Sequence, residues 1–153
     1  MSTTVSVENL SGDEAPDPDS IRTWVAAAVG NQPGCAEVEI CIVGTTQSAE
    51  LNRHYRHKTG PTNVLSFSAD LPRGVPLPLL GELIICAPVI AREAAEQNKP
   101  VSAHWAHMVV HGTLHLLGYD HIEDGDAIIM AARETEILTA LGFAAPYPEL
   151  APG

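Results

Sequence analysis

Apolar positions alternate with polar ones in some stretches of this chain and recur every three to four residues in others. The first period predicts strands and the second helices. Val5 to Leu10 alternates weakly, as a first strand would. Asp17-Pro18, an N-cap followed by a first helical position, opens a helix to about Val29, which the turn cluster from Gly30 to Gly34 stops. Val38, Ile40 and Ile42 alternate with Glu39, Cys41 and Val43, predicting a strand with one buried face and a second that is partly buried. Ser48 to about Tyr55 reads as a helix ending before Gly60-Pro61. Asn63 to Ser68 reads as a strand, Leu71 to Pro78 as a Pro-rich loop, and Leu79 to Cys86 as an apolar strand interrupted by Glu82. Pro88 opens a helix that finishes near Asn98. Ser102 to Leu117 is the most apolar helix, with Gly118 where a left-handed cap is favoured. A last amphipathic helix, Asp124 to Leu141, presents Ile128, Ile129, Ile137, Leu138 and Leu141 and is closed by Gly142. Strands and helices interleave without repeats. The expected class is α+β (mixed α/β): a small, mostly mixed four-stranded sheet packed by about five helices.

The 153 residues suit a single domain over 1–153, with 144–153 and its three prolines as a loose tail. Only 18% of residues are charged, against about 25% in an average globular chain, and 19 acidic residues face 8 Lys and Arg. A net charge of -11 argues against a protein that binds nucleic acid by general basicity. Pro100 to Tyr119 lacks Asp, Glu, Lys and Arg and is just long enough to cross a bilayer, but four histidines inside it speak against a span. Met1 to Gly12 has the pattern of neither a signal nor a transit peptide, so a soluble, cytoplasmic chain is expected. Cys35, Cys41 and Cys86 have no disulfide-framework or CxxC spacing and are expected to be buried free thiols.

Histidines change the picture. At 100 degrees per residue His104, His107, His111 and His115 fall within a stripe of about 80 degrees, on one face of the most apolar helix. His111 and His115 stand at i and i+4, so two imidazoles can reach one metal from consecutive turns. Gly118 then lets the chain reverse and return His121 as a third ligand, giving H-x3-H-x5-H with a glycine at the bend. His107 lies about 12 Å along the axis from His115, too far to share that metal. Three imidazoles with an open position make a catalytic zinc arrangement, one ion per chain, at the end of the central helix. His104 and His107 are open between supporting or substrate contacts and plain helix-face histidines. The same run matches the metzincin template H-E-x-x-H-x-x-G-x-x-H except that Gly112 stands where a peptidase has its general base. A metallopeptidase is therefore a minor alternative.

A second cluster lies between Leu51 and Ala69, which hold Arg53, Arg56 and Lys58, His54 and His57, and no carboxylate. With a net charge of -11 overall, this +3 segment leaves -14 elsewhere. One basic island in an acidic molecule is an address for phosphate.

NRHYRHKTGPTNVLSF at Asn52 to Phe67, GELIIC at Gly81 to Cys86 and HGTLHLLGYDHIED at His111 to Asp124 together resemble the YbeY family of endoribonucleases, also called rRNA maturation factors. The resemblance is strong from about Leu51 to Leu141. It implies a metal-dependent single-strand endoribonuclease of the bacterial cytoplasm, acting in small-subunit (16S) rRNA 3′-end maturation and ribosome quality control. It carries the zinc ligands to His111, His115 and His121 and the functional arginine to Arg56, so that Arg56 and His111 are the expected catalytic residues. Its implied partners are single-stranded RNA and rRNA, small ribosomal subunit proteins and an assembly GTPase, with no membrane. The chain departs from many members at Asn63, where they have Asp, and at Gly81-Glu82-Leu83, where they have GDI; Asn63 keeps hydrogen bonding but not charge.

On this reading Arg56 meets the charge developing on a scissile phosphate, while Arg53 and Lys58 place the RNA backbone. Asp120 and His107 are candidates to support the ligands, and Asp124 is open between that role and a helix N-cap. The nucleophile is open between water and the RNA's own 2′-hydroxyl. The competing reading is a ribosome-assembly RNA-binding factor whose zinc is structural.

Overall fold

In the computed structural model, residues 3–30, 36–68, 79–117 and 124–146 are described. Four strands and five helices follow the order β1 (Thr3–Asn9), α1 (Pro18–Val29), β2 (Ala36–Val43), α2 (Thr45–Arg56), β3 (Val64–Ser68), β4 (Leu79–Cys86), α3 (Ala87–Glu96), α4 (Val101–Leu116) and α5 (Asp124–Ala140). The strands lie side by side as β1-β2-β4-β3, with β1, β2 and β4 parallel and the edge strand β3 antiparallel to β4. The α+β class and the mixed four-stranded sheet are as the residue pattern predicts.

Register explains the core. Val5, Val38 and Gly81 stand in line across the sheet, and Ile40 pairs with Leu83 and Ile42 with Ile85. The side chains of Val5, Val38, Ile40, Ile42, Leu83 and Ile85 are buried in one cluster with Ile21, Trp24 and Val25 of α1 and Val109, Val110 and Leu114 of α4. Helix α4 is thus the central helix, apolar because most of its circumference is enclosed. Among the described residues, no helix is long and apolar enough to cross a membrane. Glu82 does not break β4: it stays in register between Glu39 and Phe67 on the other face, half-buried. Burial and the neighbouring Glu39 push its carboxyl pKa up.

Four expectations need correction or limits. Helix α2 starts at Thr45 rather than Ser48, because Ser48 is a buried tie inside the helix and not its opening residue. Among the described side chains of α5 the enclosed ones are Met130, Glu134, Ile137 and Leu138, whereas Ile128 and Ile129 are 63% and 59% exposed. The true inward stripe carries an acid in the middle, which the apolar pattern passes over. Of the cysteines, Cys86 is buried, Cys41 is only half-buried and Cys35 lies outside the described residues. Burial, with Glu82 and Glu8 nearby, raises the Cys41 pKa and disfavours its thiolate form. Gly118 and residues 147–153 also lie outside the described set. At the other end of α5, Gly142 takes φ +95°, where a side chain would be strained. The reversal sets the Phe143 ring edge-on to Trp24, with centroids 6.1 Å apart.

Candidate metal centre and basic rim

The histidine stripe of α4 faces two carboxylates supplied by other helices. Glu93 of α3 lies 2.8 Å from His104 Nε2, and the Asn63 amide at the start of β3 donates to the same carboxylate at 3.1 Å. Asn63 Oδ1 meanwhile accepts from the Val64 N–H. An aspartate at 63 could not donate to Glu93, so the amide in this chain suits the carboxylate opposite it. Burial holds the His104 pKa below its usual value, against the raising effect of the Glu93 hydrogen bond.

Glu134 of α5 is the second carboxylate, and it is only 1% exposed. Its Oε2 lies 2.6 Å from His107 Nε2 and its Oε1 3.0 Å from His111 Nδ1. Burial works to raise its pKa, but hydrogen bonds from the two rings and their charge prevail and bring it down to about 2. An ionised carboxylate only accepts, so both ring nitrogens must carry hydrogen. For neutral His111 this fixes the Nδ1–H tautomer and leaves the Nε2 lone pair as the one suited to a metal. A carboxylate bound to the far nitrogen of a ligating histidine is the usual device for orienting the ring and raising its basicity. His115 follows one turn later, its ring centroid 5.0 Å from that of His111 and inclined at 75°.

His121 and Asp120 lie outside the described residues, as does the Asp124 side chain. Among the described residues alone, no three His, Cys, Asp or Glu side chains converge as a complete metal-binding set. The described portion of the expected triad, His111 with its Nδ1 secured and His115 beside it, fits a metal that takes neutral imidazole donors.

Gly112 has a packing reason. A Cβ there would lie 2.8 Å from Leu83 Cδ2 and 3.3 Å from Ser66 Oγ, and Leu83 is itself fully buried. The missing side chain lets α4 sit against β3 and β4. A glutamate at this position, as the peptidase template requires, would be driven into the sheet.

The cations Arg53, Arg56 and Lys58 occupy the last turn of α2 and the residues after it, all exposed and none in an ion pair among the described residues. Two buried polar side chains hold this turn in place. Asn52 Nδ2 donates to the Gly60 carbonyl at 2.8 Å, and Ser48 Oγ both donates to Thr62 O and accepts from Thr62 N–H. His57 turns the chain in a left-handed conformation at φ 57°, its N–H capping the Arg53 carbonyl.

Residues 7–142 match the family model for Endoribonuclease YbeY. The chain belongs to the YbeY family. An Endoribonuclease YbeY of Methylococcus capsulatus is 56% identical over 148 residues, 97% of each chain. Another, of Cellvibrio japonicus, is 51% identical over 142 residues, covering 92% of this chain and 80% of the relative. A solution structure of a Thermotoga maritima protein is similar in fold, with a TM-score of 0.61 at 24% identity, over 97% of this chain and 91% of the other. Motif spacing points to neither of the carboxylates behind the histidines, Glu93 and Glu134. The signal for Glu134 is an acid at i+4 from Met130 and three residues before Ile137, inside an otherwise apolar stripe.

Proposed function

We propose that this chain is a zinc-dependent, single-strand-specific endoribonuclease of the cytoplasm, acting in small-subunit rRNA 3′-end maturation and ribosome quality control. Family membership supports endoribonuclease chemistry. The observation that carries metal dependence is the buried Glu134 carboxylate on His111 Nδ1, an arrangement that prepares an imidazole to be a ligand. His111, His115 and His121 would hold one zinc ion. When bound, such an ion supplies a Lewis acid that polarises a phosphoryl oxygen.

The rest of the chemistry falls to side chains of the chain itself. Arg56 offers a planar fork to the charge that develops on the phosphate, and its exposure leaves it available to an incoming strand. Arg53 and Lys58 take neighbouring phosphates. Gly112 cannot accept a proton and Glu134 is committed to two imidazoles, so neither serves as general base; the nucleophile is either water or the RNA's own 2′-hydroxyl. The product separates them: a 2′,3′-cyclic phosphate marks the hydroxyl and a 5′-phosphate marks water. Small-subunit proteins and an assembly GTPase are the partners proposed with this role.

The deciding experiment compares wild type with Arg56→Ala on a defined single-stranded RNA, with bound metal assayed in parallel. Arg56→Ala is expected to keep its metal and fold and to lose cleavage by about 10²- to 10³-fold, the usual cost of removing a charge-stabilising donor. Equal residual cleavage by both proteins would instead indicate a binding factor with a structural metal.

A further inference from the structure

The RHYRHK run at Arg53 to Lys58 interleaves cations with rings, and the phosphate contacts proposed above use none of those rings. Tyr55 is 56% exposed although it is a large, partly apolar side chain on a stable helix. Its ring is nevertheless braced. His54 meets it edge-on at 4.6 Å and 85°, and Phe67 from β3 meets it at 5.1 Å and 70°. Phe67 is anchored in the sheet opposite Glu82 of β4. Contact with two rings restricts Tyr55 while more than half of its surface stays open to solvent. The three cations within three residues of it in sequence are exposed, have no ion-pair partner among the described residues and share a segment without any carboxylate.

We propose that Tyr55, backed by Phe67 and flanked by His54, is a stacking subsite for one unpaired RNA base, with Arg53, Arg56 and Lys58 receiving the phosphates on either side. The assignment rests on RNA being the substrate and adds to it the group that reads a base face. Proteins that bind single strands combine a positive track with aromatic platforms, because every base offers a π-face whatever its sequence. A base inside a duplex has both faces covered by its neighbours, so a stacking platform selects for unpaired RNA without reading sequence. The restraint from His54 and Phe67 lowers the ordering cost of binding, since the ring is already held.

The test is a fluorescence titration of a single-stranded RNA carrying 2-aminopurine, with wild type, Tyr55→Leu and Tyr55→Phe at two salt concentrations, beside a duplex of the same sequence. Cleavage, bound metal and thermal midpoint are measured on each protein. Tyr55→Leu is expected to weaken single-strand binding about tenfold at both salt concentrations, within the range for one stacked base. It removes no charge, so the salt slope stays as in wild type, unlike that of Arg56→Gln. Quenching of the 2-aminopurine is lost in Tyr55→Leu and restored in Tyr55→Phe, while metal content, thermal midpoint and duplex binding do not change. If wild type cleaves RNA but Tyr55→Leu binds and quenches like wild type, the stacking subsite is wrong and the nuclease reading stands. If wild type neither binds nor cleaves RNA, the nuclease reading fails and the subsite fails with it.

Discussion

Two helical faces of this molecule are rich in basic nitrogen, and the fold treats them in opposite ways. The histidines of α4 lie against the core, where His104 and His107 are buried and each has a carboxylate within hydrogen-bond distance. The cations at the end of α2 stand in solvent without an acidic partner among the described residues. A buried polar ring must find a partner or cost the fold free energy, and His107 and His111 find theirs in Glu134, which holds a hydrogen on the nitrogen facing it. An exposed guanidinium is satisfied by water and can exchange that water for a phosphate. On the function proposed above, the first face would hold the metal and the second would receive the strand.

The strongest way to break this division is His115→Ala. Removing one of three ligands should abolish stoichiometric zinc, measured by atomic emission, and with it RNA cleavage. Full cleavage by zinc-free His115→Ala would end the catalytic role of the α4 face. Glu134→Gln should leave the ligands in place and weaken zinc about 10- to 100-fold in a chelator competition, since an amide replaces the carboxylate behind His111. Unchanged zinc affinity in that variant would reduce Glu134 to a packing role.

Most of this fold could be read along the chain, and the exceptions share one cause. The period-two alternation of Val38 to Ile42 and the turn residues around Pro18 and Gly142 are local signals, and the elements they mark are present. The order β1-β2-β4-β3 depends on contacts between distant segments, which no local period encodes. In α5 the eye follows Ile128 and Ile129, yet both are exposed, because the inward stripe is set by where α5 meets α4 and includes the charged Glu134. Histidine spacing singles out the i and i+4 pair His111 and His115 as candidates. It does not reveal Glu134 behind His111, because that carboxylate comes from 23 residues further on. Ser48 and Asn52 were invisible for the same reason: their value lies in the loop carbonyls and amides they reach.

Asn52 allows the comparison to be sharpened on the exposed side. Asn52→Ala leaves the Gly60 carbonyl without its side-chain donor and should cost about 1–3 kcal/mol in urea unfolding. Cleavage should fall as the Arg56 turn loosens, while zinc affinity should not move. A loss of zinc in Asn52→Ala would show that the two faces are not separable.

The smallest effect concerns acid. The ordinary His104 pKa is 6.5 and the fold lowers it, chiefly by burial, with Glu93, Lys99 and His107 as its charged or titratable neighbours. Below pH 6.5 the unfolded chain therefore takes up a proton that the folded chain resists. Stability of the metal-free protein should fall as pH drops through that point and level off once folded His104 also titrates. His104→Gln should flatten that part of the profile, measured by urea unfolding on either side of pH 6.5. An identical slope in both proteins would place the acid sensitivity elsewhere.

The position of Glu134 also bears on timing. A chain emerging from the ribosome presents His107 and His111 of α4 before α5, which carries their Glu134 carboxylate, has emerged and docked. Until α5 docks, His111 has no Glu134 to set its tautomer. On the function proposed above, a nuclease that acts near ribosomes stays unarmed while its own synthesis is under way, and arming coincides with completion of the fold.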